Sequence, residues 1–210
     1  MAALADQRQL IAALQSAHAA RVIETHISWV LLIGDHAYKV KKAVDLGFLD
    51  YRELSSRKIF CAEELRLNRR TAPELYLEVV SIGGSVAAPQ FGVQPFIEYA
   101  VKMRRFADDA LLDACLQQGR VEPSHIDTLS GDVANFHAQA ATVDVRTAYG
   151  NAATIRAAAM QNFEQMRSLL TDQTDLQRLT ALEQQTGAAW LACVPLFESR
   201  RRAGRVRECH

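Results

Sequence analysis

The stretch His36-Ala37-Tyr38-Lys39-Val40-Lys41-Lys42-Ala43-Val44 decides the reading, together with Phe60-Cys61-Ala62-Glu63-Glu64-Leu65-Arg66-Leu67-Asn68-Arg69-Arg70 further along. Side chains alternate along a strand, so Ala37, Lys39 and Lys41 share one face while Tyr38, Val40 and Lys42 share the other. One face is cationic. No glycine or proline interrupts residues 54–71, and Phe60, Glu63, Glu64, Leu67 and Thr71 recur at helical spacing. A helix over residues 52–70 therefore carries an acidic pair on its apolar side. A carboxylate placed there needs a counter-charge, because burying it unpaired is costly. Lys39 is the first choice for the anion-contacting lysine, with such a carboxylate as its partner, and Lys41, on the same face, is the fallback. Of the two acids Glu63 is the preferred partner and Glu64 the alternative.

Working outward, Leu10, Ile11, Leu14 and Ala17 mark a packing helix over residues 6–20. Two β-rich runs, 22–27 and 28–33, lead to Gly34-Asp35 and then the lysine strand. A two-residue connection beginning with glycine predicts a type II′ hairpin, since glycine supplies the positive φ. Asp45-Leu46-Gly47-Phe48-Leu49-Asp50 breaks the strand pattern as a loop, and the helix that follows stops before Pro73. Residues 75–82 are β-rich, Gly83-Gly84-Ser85 turns the chain, 86–88 begin the return, and 96–103 form the last clear strand. Beyond it the pattern is helical over 108–118, 124–141, 152–170 and 176–199, with Pro195 expected to kink or end the last helix. The expected fold is α+β: a small five-stranded antiparallel sheet with one inserted helix, then a helical half. The segments are an N-terminal helix, 1–21, a sheet lobe, 22–104, and a helical part, 105–210.

Composition bounds the function classes. The chain has 210 residues, 49% of them hydrophobic, and its 24 basic side chains balance 24 acidic ones. Zero net charge provides no global field for nucleic acid or a membrane surface, so any anion site must be local. The arginine-rich run Arg200-Arg201-Arg202-Ala203-Gly204-Arg205-Val206-Arg207 has no interleaved aromatic residue, and it reads as a solvated turn. Cys61, Cys115, Cys193 and Cys209 are scattered, which suits reduced thiols rather than a disulfide frame or zinc site. No His, Cys and carboxylate set stands at metal-ligand spacing. The first residues lack the basic start and apolar run of a signal peptide, and no stretch is long enough to span a bilayer, so a cytoplasmic protein is expected.

A narrower resemblance rests on several phrases taken together. These are Ile23-Glu24-Thr25-His26-Ile27-Ser28-Trp29-Val30, Tyr38-Lys39-Val40-Lys41-Lys42, the Asp45 to Asp50 loop, Glu63-Glu64-Leu65-Arg66-Leu67-Asn68-Arg69-Arg70, Ala72-Pro73-Glu74-Leu75-Tyr76 and Tyr99-Ala100-Val101-Lys102-Met103-Arg104. Over residues 20–210 the sequence resembles a bacterial family of aminoglycoside-phosphotransferase-like proteins, which often carry a following P-loop ATP-binding domain. The resemblance implies a protein-kinase-like fold, an ATP-dependent phosphotransferase acting on a small-molecule hydroxyl, and ATP with Mg2+ as cofactors. It casts Ala37-Tyr38-Lys39 as the Ala-x-Lys of the third strand, with Lys39 on the α- and β-phosphates and a helix glutamate as its partner.

Other roles follow from the same resemblance. The turn between the first two strands has no glycine, so Thr25, His26 and Ser28 are the groups that would donate to phosphate oxygens through their side chains. Met103, Arg104 and Arg105 fall at the interlobe hinge, whose backbone groups would meet the adenine edge, and the apolar residues from Tyr99 to Met103 either pack against the purine or serve as core strand. His137 sits on a helix preceding the catalytic loop and reads as a buried, hydrogen-bonded histidine. In the family the phrase Val206-Arg207-Glu208-Cys209-His210 runs into a catalytic loop of the form His-Gly-Asp-Leu-His-x-x-Asn. The resemblance therefore implies that the catalytic aspartate and the metal ligands lie beyond His210, and that this chain is a fragment without catalytic activity of its own. No Gly-x-x-x-x-Gly-Lys-Ser/Thr occurs in it. The alternative from another class is a non-catalytic binding or regulatory module that docks a partner through residues 108–199.

Overall fold

The computed structural model describes residues 4–47 and 49–209. Phe48, in the loop quoted above, and His210, the expected opening histidine of a catalytic loop, lie outside the described residues. The chain divides into two compact units between Pro123 and Ser124.

In the first unit, helix α1 (Leu4–His18) precedes strands β1 (Arg21–Glu24), β2 (Ser28–Ile33) and β3 (His36–Lys41). Helix α2 (Leu54–Asn68) follows, then β4 (Tyr76–Gly84), β5 (Pro89–Phe91) and β6 (Phe96–Arg104). The strands form one sheet in the order β1-β2-β3-β6-β4-β5, every neighbouring pair antiparallel. The sheet thus has six strands where five were expected. The additional strand is the short edge piece β5, which pairs Phe91 with Ile82 and starts at Pro89. Proline lacks the N–H of a ladder donor, which suits an edge. Glycine is needed at 83 for a different reason: a Cβ there would lie 1.5 Å from the Val93 carbonyl oxygen. The β2–β3 connection follows its expected geometry. Gly34 has φ +54°, Ile33 pairs with His36, and Asp35 has ordinary negative φ.

The register sorts side chains onto two faces. Trp29, Val40 and Ala100 lie opposite one another across β2, β3 and β6, and with Leu31 and Ile82 they meet Leu10, Ile11 and Leu14 of α1. This is the apolar core. The other face carries two rows, Arg21-Leu32-Ala37-Met103 and Ile23-Val30-Lys39-Val101. Those rows and α2 build the candidate site. A 3-10 turn (Asp108–Ala110) and the short helix α3 (Leu112–Gln117) close the unit, where one helix over 108–118 was expected.

Helices α4 (Pro123–Gln139), α5 (Ala152–Leu169) and α6 (Gln173–Arg202) supply the second unit. Asn151 and Asp172 cap α5 and α6 through side-chain oxygens, a normal N-terminal device. Phe163 and Leu179 are buried, and Trp190 Nε1 donates to the Ala152 carbonyl at 2.8 Å. Pro195 does not end α6, which runs on to Arg202. The arginine run is not a solvated turn either: Arg200, Arg201 and Arg202 occupy the last turn of α6, where the helix dipole favours cations. Arg201 donates to the Val145 and Thr147 carbonyls, and Arg207 to those of Ala138 and Ala140. His137, expected to be buried, is exposed in the last turn of α4.

Candidate functional site

Helix α2 is positioned by polar rather than apolar groups. Its inward stripe is Arg57, Cys61 and Glu64, spaced i, i+4, i+7 along the helix. Phe60, expected on the packed side, is 38% exposed. The reason is an ion pair that the sequence reading overlooked. Arg57 Nε donates to both carboxylate oxygens of Glu98 on β6, at 2.9 and 3.0 Å, and each side chain is only 1% exposed. The arginine also bonds the carbonyls of Tyr51 and Arg52, while Glu98 accepts from the Tyr99 N–H and from Gln7 Nε2 of α1. Gln7 in turn donates to the Lys41 carbonyl and accepts from the Ala43 N–H. This network sets the rotation of α2 about its axis. The signal available in the sequence was Glu98, a lone carboxylate inside the otherwise apolar run from Phe96 to Val101.

With Arg57 turned inward, Glu64 faces the sheet. Its Oε1 accepts from Lys39 Nζ at 2.8 Å and its Oε2 from Lys41 Nζ at 2.6 Å. Glu63, the preferred partner in the sequence reading, is exposed to the side and pairs with Arg66 one turn on. The correction has a geometric cause: adjacent helical positions point about 100° apart, so the rotation that presents Glu64 turns Glu63 away. Lys41 is nearly buried beneath the Tyr51 ring, 5.1 Å from its centroid, whereas Lys39 retains 28% exposure of its side chain. Lys42 leaves the group altogether. Its Nζ bonds Glu24 and the Thr25 carbonyl and lies over the Trp29 ring.

Burial alone would raise the Glu64 carboxyl, but the two ammonium groups together hold it below the ordinary carboxylate range. For Lys41 burial works against the charge, and the charge and hydrogen bond of Glu64 outweigh it, so the ammonium is raised. Cys61, on the same stripe, has a thiol pushed up to about 12 by burial. The Tyr76 hydroxyl is also raised, by burial and by the Glu64 charge.

Lys39 opens onto a cleft of about 760 Å³. Its walls come from the second sheet face, with Ile23, Val30, Leu32, Ala37 and Met103, and from Leu75, Phe106 and Leu111. Every lining residue falls between Arg21 and Leu111. The arrangement is a largely apolar slot that also holds the Lys39 ammonium and the charged side chains of Arg21, Arg104, Arg105 and Asp108, of which Arg21 and Asp108 pair with each other. Thr25, His26 and Ser28 line the cleft, but the hydroxyls of Thr25 and Ser28 are engaged with each other at 3.0 Å, and Thr25 Oγ1 also bonds the Ser28 N–H and carbonyl. They close the β1–β2 turn. His26 is exposed beside them. Met103 lies opposite Ala37, and Arg104 and Arg105 stand at the exposed end of β6.

Comparison with known proteins gives one set of matches. Uncharacterized proteins of Mycobacterium tuberculosis and Mycobacterium bovis are 34% identical to this chain over 119 residues. The match takes in 57% of this chain and 22% of each relative, so it spans about a fifth of the relatives' length. No family model and no solved structure matches. Among the described residues, no helix is long and apolar enough to cross a membrane. No group of three or more His, Cys, Asp or Glu side chains stands ready for a metal ion among them either.

Proposed function

We propose that the first unit is the nucleotide-gripping lobe of an ATP-dependent phosphotransferase of the protein-kinase-like fold, akin to aminoglycoside-phosphotransferase-like proteins. The observation that carries this reading is the pairing of Lys39 on the third strand with Glu64 on the following helix, with Lys39 lining a cleft whose volume of about 760 Å³ can hold a nucleoside triphosphate. A strand lysine oriented by a helix carboxylate is the device with which kinases hold ATP phosphates. The sheet order, with β3 next to the last long strand and α2 inserted between β3 and β4, agrees with that reading.

The residues fit ATP as a ligand. Lys39 is a compact charge on a long stem and suits phosphate oxygens. Without a ligand, its ammonium is held by Glu64. Val30, Ala37 and Met103, the last paired with Ala37 across the sheet, supply apolar lining against which a purine can lie. ATP supplies the transferable phosphoryl group, and the acceptor proposed is a small-molecule hydroxyl. Mg2+ is assigned no ligand among the described residues, and no step is routed through it.

Titration of the chain with ATP, followed by calorimetry, tests the proposal. Lys39→Ala is expected to weaken ATP binding at least tenfold, which corresponds to the ~1.4 kcal/mol or more expected of a charge-assisted hydrogen bond. Unaltered affinity in that variant, or no binding by the natural sequence, counts against it. A second reading, docking of a partner through the helical unit, is supported by the exposed Leu129, Leu182 and Leu191. It expects the ligand, a protein, to bind with indifference to Lys39.

A further inference from the structure

Two ammonium groups share one carboxylate, and of the three only Lys39 lines the cleft; one ammonium is enough to neutralise the carboxylate. We propose that Lys41 is a positioning residue: it holds Glu64 ionised and fixed when Lys39 turns toward a polyphosphate, so that the site presents a net positive charge to its ligand. The inference rests on the nucleotide reading above and assigns a separate task to each lysine.

Lys41 cannot meet a ligand itself. Its side chain is 6% exposed, its Nζ is bonded to Glu64 Oε2, and its stem lies against Tyr51. Its backbone is pinned as well, through the carbonyl that accepts from Gln7. Lys39 differs on each count that matters for binding, being more exposed and facing the cleft. A lone Lys39–Glu64 pair would be electrically neutral. A phosphate drawing Lys39 away would then leave Glu64, with only 11% of its side chain exposed, as an uncompensated buried charge. Lys41 removes that penalty, because Oε2 keeps its counter-ion throughout. The other titratable groups facing the three are Tyr51, Cys61 and Tyr76, with the Glu98 carboxylate further along. Of these, the Glu98 carboxylate is already bound to Arg57. The excess positive charge of the three-membered group therefore stands uncancelled by its neighbours.

The test uses the full chain and reads two quantities. The first is ATP affinity for Lys41→Met, Glu64→Gln and the double variant. Lys41→Met is expected to weaken ATP binding about tenfold alone and less than about twofold in the Glu64→Gln background, since coupled residues are not additive. The second is the Glu64 side-chain carboxyl signal in carbon NMR, followed against pH without nucleotide. In Lys39→Met, Glu64 should still titrate below the ordinary carboxylate range, held by Lys41; in Lys41→Met it should titrate at higher pH than in the natural sequence. Lys39 is partly exposed, so its variant keeps the test alive if Lys41→Met does not fold. Glu64 rising above the ordinary range in Lys39→Met overturns the role of Lys41. Equal ATP affinity in Lys41→Met and the natural sequence does so too. Failure of the natural sequence to bind ATP overturns the nucleotide reading and, with it, the release of Lys39, whatever Glu64 does.

Discussion

Glu98 is a charged residue about 1% exposed on a central strand, and every hydrogen bond it accepts is internal. Removing one member of such a buried pair strands the other charge. Glu98→Ala should therefore cost about 3–5 kcal/mol of stability, read from the urea midpoint, and a loss below about 1 kcal/mol would mean that water reaches Arg57. Cys61 tests the same interior differently. With its thiol pushed up to about 12 by burial, it should resist iodoacetamide at mildly alkaline pH until the chain is unfolded. Rapid native-state alkylation at that residue would contradict the packing of α2. Glu64 gives the pH dependence. Its folded carboxyl is held below the ordinary 4.5, so its contribution is complete above that value and is lost as pH falls through the depressed folded value. The acid limb of the stability curve should move to lower stability loss in Glu64→Gln, whose side chain has no proton to gain.

Elements whose partners are apolar were legible in the sequence. Helix α1 packs through Leu10, Ile11 and Leu14, as its spacing predicts, and the Gly34 hairpin follows from glycine's freedom at positive φ. Helix α2 was located correctly and rotated wrongly. Periodicity weighs Phe60 and Leu67 as the buried side, but the helix is fixed by Arg57 reaching Glu98, a partner 41 residues away that no local pattern reveals. Choosing Glu63 over Glu64 followed from that same error. Edge strand β5 was missed as a strand of its own for a related reason, since its three residues have too little pattern to register. What fixes it is the return of the chain over Gly83. Gly83→Ala would force a methyl group into the Val93 carbonyl oxygen, 1.5 Å from the ideal Cβ position. Backbone cannot yield cheaply there, so the substitution should lower thermal stability by several degrees, and a neutral result would show that the β5–β6 connection, which carries Val93, is free to shift.

Across the whole molecule, charge is balanced and the positive group in the cleft is local, so function should stay with the unit that contains it. All residues lining the cleft lie between Arg21 and Leu111, within the first unit. The connection between units is short: α3 ends at Gln117, Gly119 takes φ +66°, and Arg120 and Glu122 are exposed before α4 begins at Pro123. Exposed turns with few buried groups are where proteases enter first. Trypsin at low ratio should therefore cut after Arg120 ahead of the arginines and lysines held in strands and helices. Because neither the core around Leu14 and Leu31 nor the Lys39–Glu64 pair draws on residues past the cut, the piece ending at Arg120 should bind ATP with the affinity of the uncut chain. First cleavage inside the β-strands would refute the division into units. Loss of ATP binding on clean cleavage at Arg120 would show that the cleft needs side chains from beyond Leu111.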